Sequence, residues 1–410
     1  MKILFLTNLL PYPLDNGGKI KTYTTLNALY KAGYDIDLVC FTEDIKINDI
    51  YLNIVAKLCN SISISYLKLT SSEHKCYMIK KAIESIFSKY SFGVYKYKSK
   101  KMIKILNNID KNKKYDCVYF DHLQMCIYMP EIKKIFPNAR YILDEHNCER
   151  LIVHRNRQTS KNLVKKSFLL LEEIKIALFE KNIIKKMDLT ILLSKADYDN
   201  LYKNIGEFNY EIIPVGVNDK GVKKHNINGT KLNILFIGTL TWEPNNTGLI
   251  WFLDNVIPLL EENKIEYNLY IVGKNPSEYV VKKSKMYRNI FITGYVKSVD
   301  EYYDKCDCMI VPLFSGSGQR VKLIEAFSKG MPSISTSIGA EGLFYKENED
   351  ILIANTSKDF FDKILSLKNE KLRNKLSENS RKIFEKYYSM EVISKKISKV
   401  VGAILLRSLF

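Results

Sequence analysis

The chain has 410 residues, 46% of them hydrophobic and 12% aromatic, which is too long for one ordinary core and comfortable for two domains of about 200 residues each. That composition excludes a mainly disordered chain. With 63 basic against 45 acidic residues the net charge is +18, and such an excess implies anionic company: a nucleic acid, a membrane surface or phosphate-bearing ligands.

In chain order, Lys2 to Leu6 is a short apolar run that predicts a buried strand. A loop rich in Pro, Gly and Asn follows, from Asn8 to Gly18. Ile20, Tyr23, Leu26, Leu29 and Tyr30 then recur at helical spacing, with Gly33 at the stop. Asp35 to Phe41 is the next strand, and this strand–helix–strand order implies a parallel sheet. Further strands fit Ser61 to Tyr66, Cys117 to Phe120, Tyr141 to Leu143 and Leu189 to Leu193, with a long Lys-rich helix from Asn162 to Lys186.

The second half repeats this grammar after a polar linker from Asp219 to Thr230. Strands are expected at Leu232 to Gly238, Asn268 to Val272, Ile290 to Thr293, Met309 to Pro312 and Ser333 to Ser335. A helix is expected from Asn246 to Leu260, and the tail from Asp359 reads as helical throughout. The expected fold is α/β: two doubly wound, Rossmann-like parallel-sheet domains around one cleft, with ligands beyond the carboxyl ends of the strands. The boundaries fall at 1–218 and 219–389, and 390–410 forms a last helix packing back on the first domain.

The eight cysteines include no Cys-x-x-Cys pair, and Cys306 and Cys308 have no His/Cys neighbours to complete a metal site. They read as free thiols in a reducing cytosol. The apolar run at Met1 to Leu6 is too short for a signal peptide, and no stretch of about 20 apolar residues exists to span a bilayer. The expected location is the cytoplasm, with contact to the membrane's inner face.

Two glycine loops lead into basic helix starts. The first is Gly17-Gly18-Lys19-Ile20-Lys21. Helix N-termini carry unpaired N–H groups and a positive dipole end, so Lys19 and Lys21 call for a phosphate or carboxylate nearby, unless the turn is merely solvated. The second is Gly316-Ser317-Gly318-Gln319-Arg320-Val321-Lys322, continuing to Glu325, Ala326 and Phe327. Arg can clamp a diphosphate through two parallel N–H bonds and Lys adds a point charge. Glu325, flanked by Leu323, Ile324 and Phe327, needs a partner, which sugar or ribose hydroxyls would supply. Neither loop is Gly-x-Gly-x-x-Gly or a Walker A sequence.

The stretch Gly318-x-Arg320-x-Lys322-x-x-Glu325-Ala326-Phe327-x-x-Gly330-x-Pro332, ending Gly339-Ala340-Glu341-Gly342, resembles the donor-site signature of family 4 glycosyltransferases, retaining enzymes of the GT-B fold. Phe236-Ile237-Gly238 with Trp242-x-Pro244-Asn245, Ile271-Val272-Gly273, Thr293-Gly294-Tyr295-Val296, Pro11-x-Pro13-x-x-x-Gly17-Gly18 and Asp144-Glu145-His146-Asn147 are similar to that family as well. The resemblance implies a metal-independent hexosyltransferase with no cofactor, its donor substrate a nucleotide-diphosphate sugar. By position, Arg320 and Lys322 would hold the diphosphate and Glu325 the ribose. Gly316, Ser317, Gly318, Gln319, Gly238, Gly294 and Val296 would line the donor, with Gly17 and Gly18 facing its phosphates. His146 would sit at the reacting centre. His122 and Asn147 would meet a saccharide or lipid-linked acceptor. Two positions depart from the family. Ser317 stands where many relatives carry a first glutamate, and Thr239, Leu240 and Thr241 follow Gly238 where cations are common.

His146 and His122 each follow a predicted strand, where open α/β sheets place chemistry. His74, His154 and His225 lie in polar segments and read as solvated. Asp144, Glu145 and His146 form one short cluster without a metal's ligand geometry, so no metal is expected. Between Lys68 and Lys114 there are 13 lysines against three acids, interleaved with aromatics. That suits an anionic membrane surface or a solvated helical face; no nucleic-acid module is recognisable. The reading is a glycosyltransferase of bacterial surface polysaccharide assembly. The alternatives are a nucleotide-sugar epimerase on the same fold and a non-catalytic nucleotide-binding subunit.

Overall fold

The computed structural model describes residues 1–44, 46–69, 74–221 and 231–406. Most of the polar linker, including His225, lies outside the described residues, as does part of the lysine-rich stretch. The chain divides into two units, one formed by Met1–Gly216 with Ile393–Phe410 and the other by Val217–Val392.

The first unit is built on a seven-stranded parallel sheet. Its strands are β1 (Lys2–Thr7), β2 (Asp35–Thr42), β3 (Ser61–Tyr66), β4 (Cys117–Asp121), β5 (Arg140–Glu145), β6 (Leu189–Leu192) and β7 (Tyr210–Ile212), in spatial order β3-β2-β1-β4-β5-β6-β7. Strands β1, β4 and β5 are buried along nearly their whole length, as continuous apolar runs in a doubly covered parallel sheet must be. One apolar layer holds Leu4, Phe41, Val118 and Phe120; the other, on the opposite face, holds Ile3, Phe5, Tyr119 and Ile142. The helix Met390–Leu406 closes this second layer with Ile393, Ile397, Val401 and Leu405.

The second unit has six parallel strands: β8 (Leu232–Ile237), β9 (Tyr267–Val272), β10 (Ile290–Gly294), β11 (Cys308–Val311), β12 (Ser333–Ser335) and β13 (Leu352–Ile353), in order β10-β9-β8-β11-β12-β13. Both sheets reverse direction beside their first strand, between β1 and β4 and between β8 and β11. At such a point, crevices open beyond the carboxyl ends.

The expected strands are all present. The strands β7 and β13, three and two residues long, have too little periodicity to be read from sequence. The expected helix from Asn246 to Leu260 is two helices, Glu243–Asn255 and Ile257–Glu262, because Pro258 has no N–H to continue the ladder. The tail is likewise three helices, Ser357–Ser366, Glu370–Tyr387 and Met390–Leu406. The first is started by a capping box of Thr356 and Asp359 and the second by the Asn369 side chain.

Candidate functional site

At the switch point of the first unit, backbone register sets Thr7 against Asp121 and Asp121 against Asp144. The ends of three neighbouring strands thus present a row of polar side chains. Asp121 is fully buried and is the hub of the row. Its Oδ2 accepts the hydroxyls of Thr7 (2.6 Å) and Thr22 (2.7 Å) and lies 3.0 Å from His122 Nδ1. Its Oδ1 lies 2.8 Å from His146 Nε2. The two imidazoles pack with ring centres 3.6 Å apart. His122 holds a backbone φ of +82°, uncommon for a residue with a side chain, while its N–H donates to the Asp144 carbonyl (3.0 Å).

Burial opposes charge on Asp121, yet the fields of His146 and His122 and the bonds they make hold its carboxyl well below the usual range. Burial also disfavours the His122 imidazolium, but Asp121 outweighs it and the His122 pKa rises. His146 is lowered, first by burial and then by the positive His122. The two imidazoles of the trio are thus driven in opposite directions, His122 towards its charged form and His146 towards its neutral one, around a carboxylate.

The helix Gly17–Lys31 starts at this site, capped by Asn16 accepting the Lys19 N–H (3.0 Å). Gly17 and Gly18 are its first two residues. A Cβ on Gly18 would stand 3.6 Å from His122 Nε2, so the helix start and the ring are immediate neighbours. The anion that Lys21 calls for is a protein carboxylate: its ammonium lies 2.8 Å from Asp144, with both groups buried. Lys19 pairs with Asp15 at 3.1 Å. Asn147 follows His146 and is partly exposed.

At the switch point of the second unit, the chain leaves β11 through Pro312 and turns at Gly316 (φ +98°) and Gly318 (φ +79°), conformations that only glycine takes readily. A Cβ on Gly316 would lie 3.1 Å from Arg320 Nη2 and 3.3 Å from the Trp242 ring. Arg320 is the N-cap residue of the helix Val321–Lys329. The residue is 5% exposed, and its guanidinium lies 5.6 Å from the Trp242 ring centre and donates from Nη1 to the carbonyls of Ser317 (2.5 Å) and Gly318 (2.9 Å). The cation expected to clamp a diphosphate is thus turned onto its own loop, where the Ser317 and Gly318 carbonyls accept from it. Gln319 ties the same loop to the Gly342 carbonyl (2.7 Å).

Lys322 reaches under the carboxyl end of β8, donating to the Ile237 carbonyl and to Asn245 Oδ1 (2.8 Å). Burial, and then the charge of Arg320, lower its pKa to about 7. Glu325 finds its partner within the protein: Lys220 Nζ lies 3.2 Å from it and 3.1 Å from Asp300. Sequence reasoning left that carboxylate to a ligand because Lys220 sits more than 100 residues earlier in the chain. Gly238 follows β8 and donates its N–H to Val272 (3.0 Å). Gly294 ends β10 at φ +69°, with Val296 partly exposed just beyond.

Asp121, Thr7, Thr22 and Trp242 complete these sites without having been read as site residues. The signal was present for Asp121, a lone acid ending an apolar strand directly before a histidine. Asp121, His122 and His146 place three ligand atoms within 4.8 Å of one another and could hold a metal ion. Here each imidazole nitrogen that faces the carboxylate is at hydrogen-bonding distance from it, which accounts for the clustering. His154, read as solvated, instead contacts Glu173 (2.8 Å) beside Arg157. The cysteines are free and most are buried, although Cys76 is exposed. Among the described residues no helix is long and apolar enough to cross a membrane.

Comparison with known proteins bears on the second site most directly. Residues 231–370 match the family model described as Glycosyl transferases group 1. The chain is 26% identical over 372 residues to an uncharacterized 44.6 kDa protein of the cps region of Klebsiella pneumoniae, covering 89% of this chain and 90% of that one. Its fold is similar to sucrose-phosphate synthase from Thermosynechococcus elongatus (TM-score 0.73, 15% identity, 99% of this chain and 100% of that one). It is similar as well to Anabaena HepE in complex with UDP and glucose (TM-score 0.67, 11% identity, 98% and 100%). The chain therefore has the two-domain, parallel-sheet architecture of GT-B glycosyltransferase structures, and residues 231–370 of its second unit are similar to Glycosyl transferases group 1.

Proposed function

We propose that this protein transfers a sugar, with retention and without a metal, from a nucleotide-diphosphate sugar to a saccharide or lipid-linked acceptor in bacterial surface polysaccharide synthesis. The observation that carries the proposal is the junction at 316–322. It lies inside the segment matched to group 1 glycosyltransferases, at the switch point of its sheet, with two cations and a glycine-turned backbone at the start of a helix. The polysaccharide context is supported by the relative from a cps region. UDP is the first nucleotide to try because HepE, of similar fold, was seen with it.

In this reading the second unit binds the donor. As the bond to the anomeric carbon breaks, negative charge grows on the leaving diphosphate. Lys322 and Arg320 are held in place before that charge appears, so their stabilisation of it requires little reorganisation. The first unit supplies acceptor contacts. His146, neutral and aligned by Asp121, accepts or donates hydrogen bonds at the reacting hydroxyls, while His122 and Asn147 flank it.

The test is incubation with a panel of nucleotide sugars, with and without a saccharide acceptor, followed by mass spectrometry. Release of nucleoside diphosphate coupled to a heavier acceptor is expected. Isomerised donor in the absence of acceptor would establish an epimerase instead. Binding of nucleotide with no turnover on any acceptor would leave a silent subunit.

A further inference from the structure

The long helix Leu163–Ile184 has apolar residues on two sides. It buries Glu172, Glu173 and Glu180 together with Ile176, Ile183 and Ile184, and leaves Leu170, Ile174 and Leu178 exposed, at i, i+4 and i+8 along another side. Its first turn exposes Leu163 and Val164, the latter 81% accessible. The buried acids have structural partners: Glu172 accepts the Phe92 N–H (2.5 Å), Glu173 meets Arg157 and His154, and Glu180 accepts the Glu149 N–H (3.1 Å). Among the described residues of the first unit, none covers that exposed apolar side.

A second uncovered apolar row lies next to it. On the helix Lys75–Ile86, Ile79, Ile83 and Ile86 share a face, and Phe87 behind them is 89% exposed. The two rows are neighbours, because Lys175, one residue from Ile174, donates to the carbonyls of Ser85 (2.7 Å) and Ile86 (2.9 Å). Tyr90 packs edge-on against Phe179 just inside that junction. Contiguous apolar surface of this kind on a soluble face marks an interaction site.

The charge around the rows says which partner fits. Lys80 and Lys89 border the row on the helix Lys75–Ile86, and Lys161, Lys165 and Lys166 border Leu163 and Val164; all are exposed. The first turn of the long helix contains no acid. Lysine is depleted at protein–protein interfaces, whereas an apolar stripe edged by lysines suits the boundary of an anionic bilayer, where acyl chains take the apolar groups and headgroups take the cations. We infer that the face formed by helices Lys75–Ile86 and Leu163–Ile184 docks the protein on an anionic lipid surface, with Phe87, Ile83 and Ile174 entering the headgroup boundary. This does not depend on the glycosyl-transfer reading, since it concerns a surface of the first unit alone.

The test is sedimentation of the full chain with vesicles of phosphatidylcholine mixed with phosphatidylglycerol, against vesicles of phosphatidylcholine alone. Binding to the anionic vesicles only is expected, weakening as salt rises and the Debye length shrinks. Lys165→Gln with Lys166→Gln should weaken it roughly 30-fold, at about fivefold for each lysine near the surface. Phe87→Ser with Ile83→Ser should weaken it by about tenfold or more, with thermal unfolding unchanged because these side chains are exposed. Absence of binding at low salt, equal binding to both vesicle types, or unaltered binding by both variants would overturn the inference. So would a dimer in sedimentation velocity that Phe87→Ser dissociates, since the face would then belong to a second copy of the chain. Nucleotide binding by the same variants reports separately on the second unit.

Discussion

Asp121 illustrates how one buried charge can organise several groups. A carboxylate without partners at that depth would take up a proton; two imidazoles and two hydroxyls keep it ionised. The sign of the coupling can be measured. Because the folded pKa of His122 is raised, its contribution to stability is complete below the unfolded value of about 6.5 and is lost as pH rises through the folded value. Asp121→Asn should drop the His122 pKa below the unfolded value, read by NMR titration of the ring. In the transfer assay it should lower kcat with little change in donor KM, since Asp121 acts through the rings. An unmoved His122 titration in that variant would show that Asp121 does not govern the ring.

Lys322 gives a second expectation at the same scale. Its amine, lowered to about 7 by burial and by Arg320, is largely neutral at pH 8. A bound diphosphate supplies the missing negative charge and pulls a proton onto it. Calorimetry with UDP at pH 8, in two buffers of different ionisation enthalpy, should reveal proton uptake. Lys322→Gln should remove most of it, and identical uptake in that variant would refute the assignment. The place of Arg320 and Lys322, at a helix start after a glycine turn, was legible from the sequence, but their orientation was not. Which carbonyls a guanidinium meets depends on glycine turns and on Trp242, some 80 residues away.

Among the elements, the helix Glu149–Thr159 shows a start signal that no local sequence contains. Its N-cap Cys148 makes no capping bond; Glu180, from the long helix, accepts the N–H groups of Glu149 (3.1 Å) and Arg150 (3.5 Å) instead. Burial, and then the neighbouring Glu149, raise the Glu180 pKa to about 8. A carboxyl raised on folding binds a proton that the unfolded chain has released, so stability falls as pH rises from about 4.5 towards 8. Glu180→Gln keeps an acceptor without the charge and should flatten that slope, with higher stability than the wild type at pH 8 in urea titrations. Glu180→Ala removes the cap and should cost about 1 kcal/mol at pH 5. Equal pH slopes in wild type and Glu180→Gln would exclude the mechanism. The burial of three glutamates beside the isoleucines of the helix Leu163–Ile184 was equally hidden. Its apolar residues predict a helix, but nothing in their spacing says that the glutamates face inward.

For the molecule as a whole, the alternation of apolar strands and amphipathic helices made the two parallel sheets legible, because strands buried on both faces must be apolar throughout. Strand order was not. That β1 lies between β2 and β4, and β8 between β9 and β11, follows from right-handed crossovers folding to either side of the first strand. This placement brings residues as distant as Thr7, Asp121 and His146 together. The last helix binds the ends of the chain into one core. Ile393, Ile397, Val401 and Leu405 each lie at 2% exposure or less. Burying a side chain of that size contributes about 1.5–3 kcal/mol, so Val401→Asp should destabilise the first unit by several kcal/mol. In limited proteolysis, first-unit peptides should then be released before those of 217–392; indistinguishable digestion would argue against that role for the helix.

If the junction at 316–322 grips a nucleoside diphosphate, isothermal calorimetry of the wild type and of Lys322→Ala with UDP and GDP will show it. Saturable binding of one of these by the wild type, weakened roughly tenfold to 100-fold in the variant as expected for loss of a charge-assisted bond, would bear it out. Binding of neither nucleotide, or equal affinity in a variant whose circular dichroism shows it folded, would contradict it.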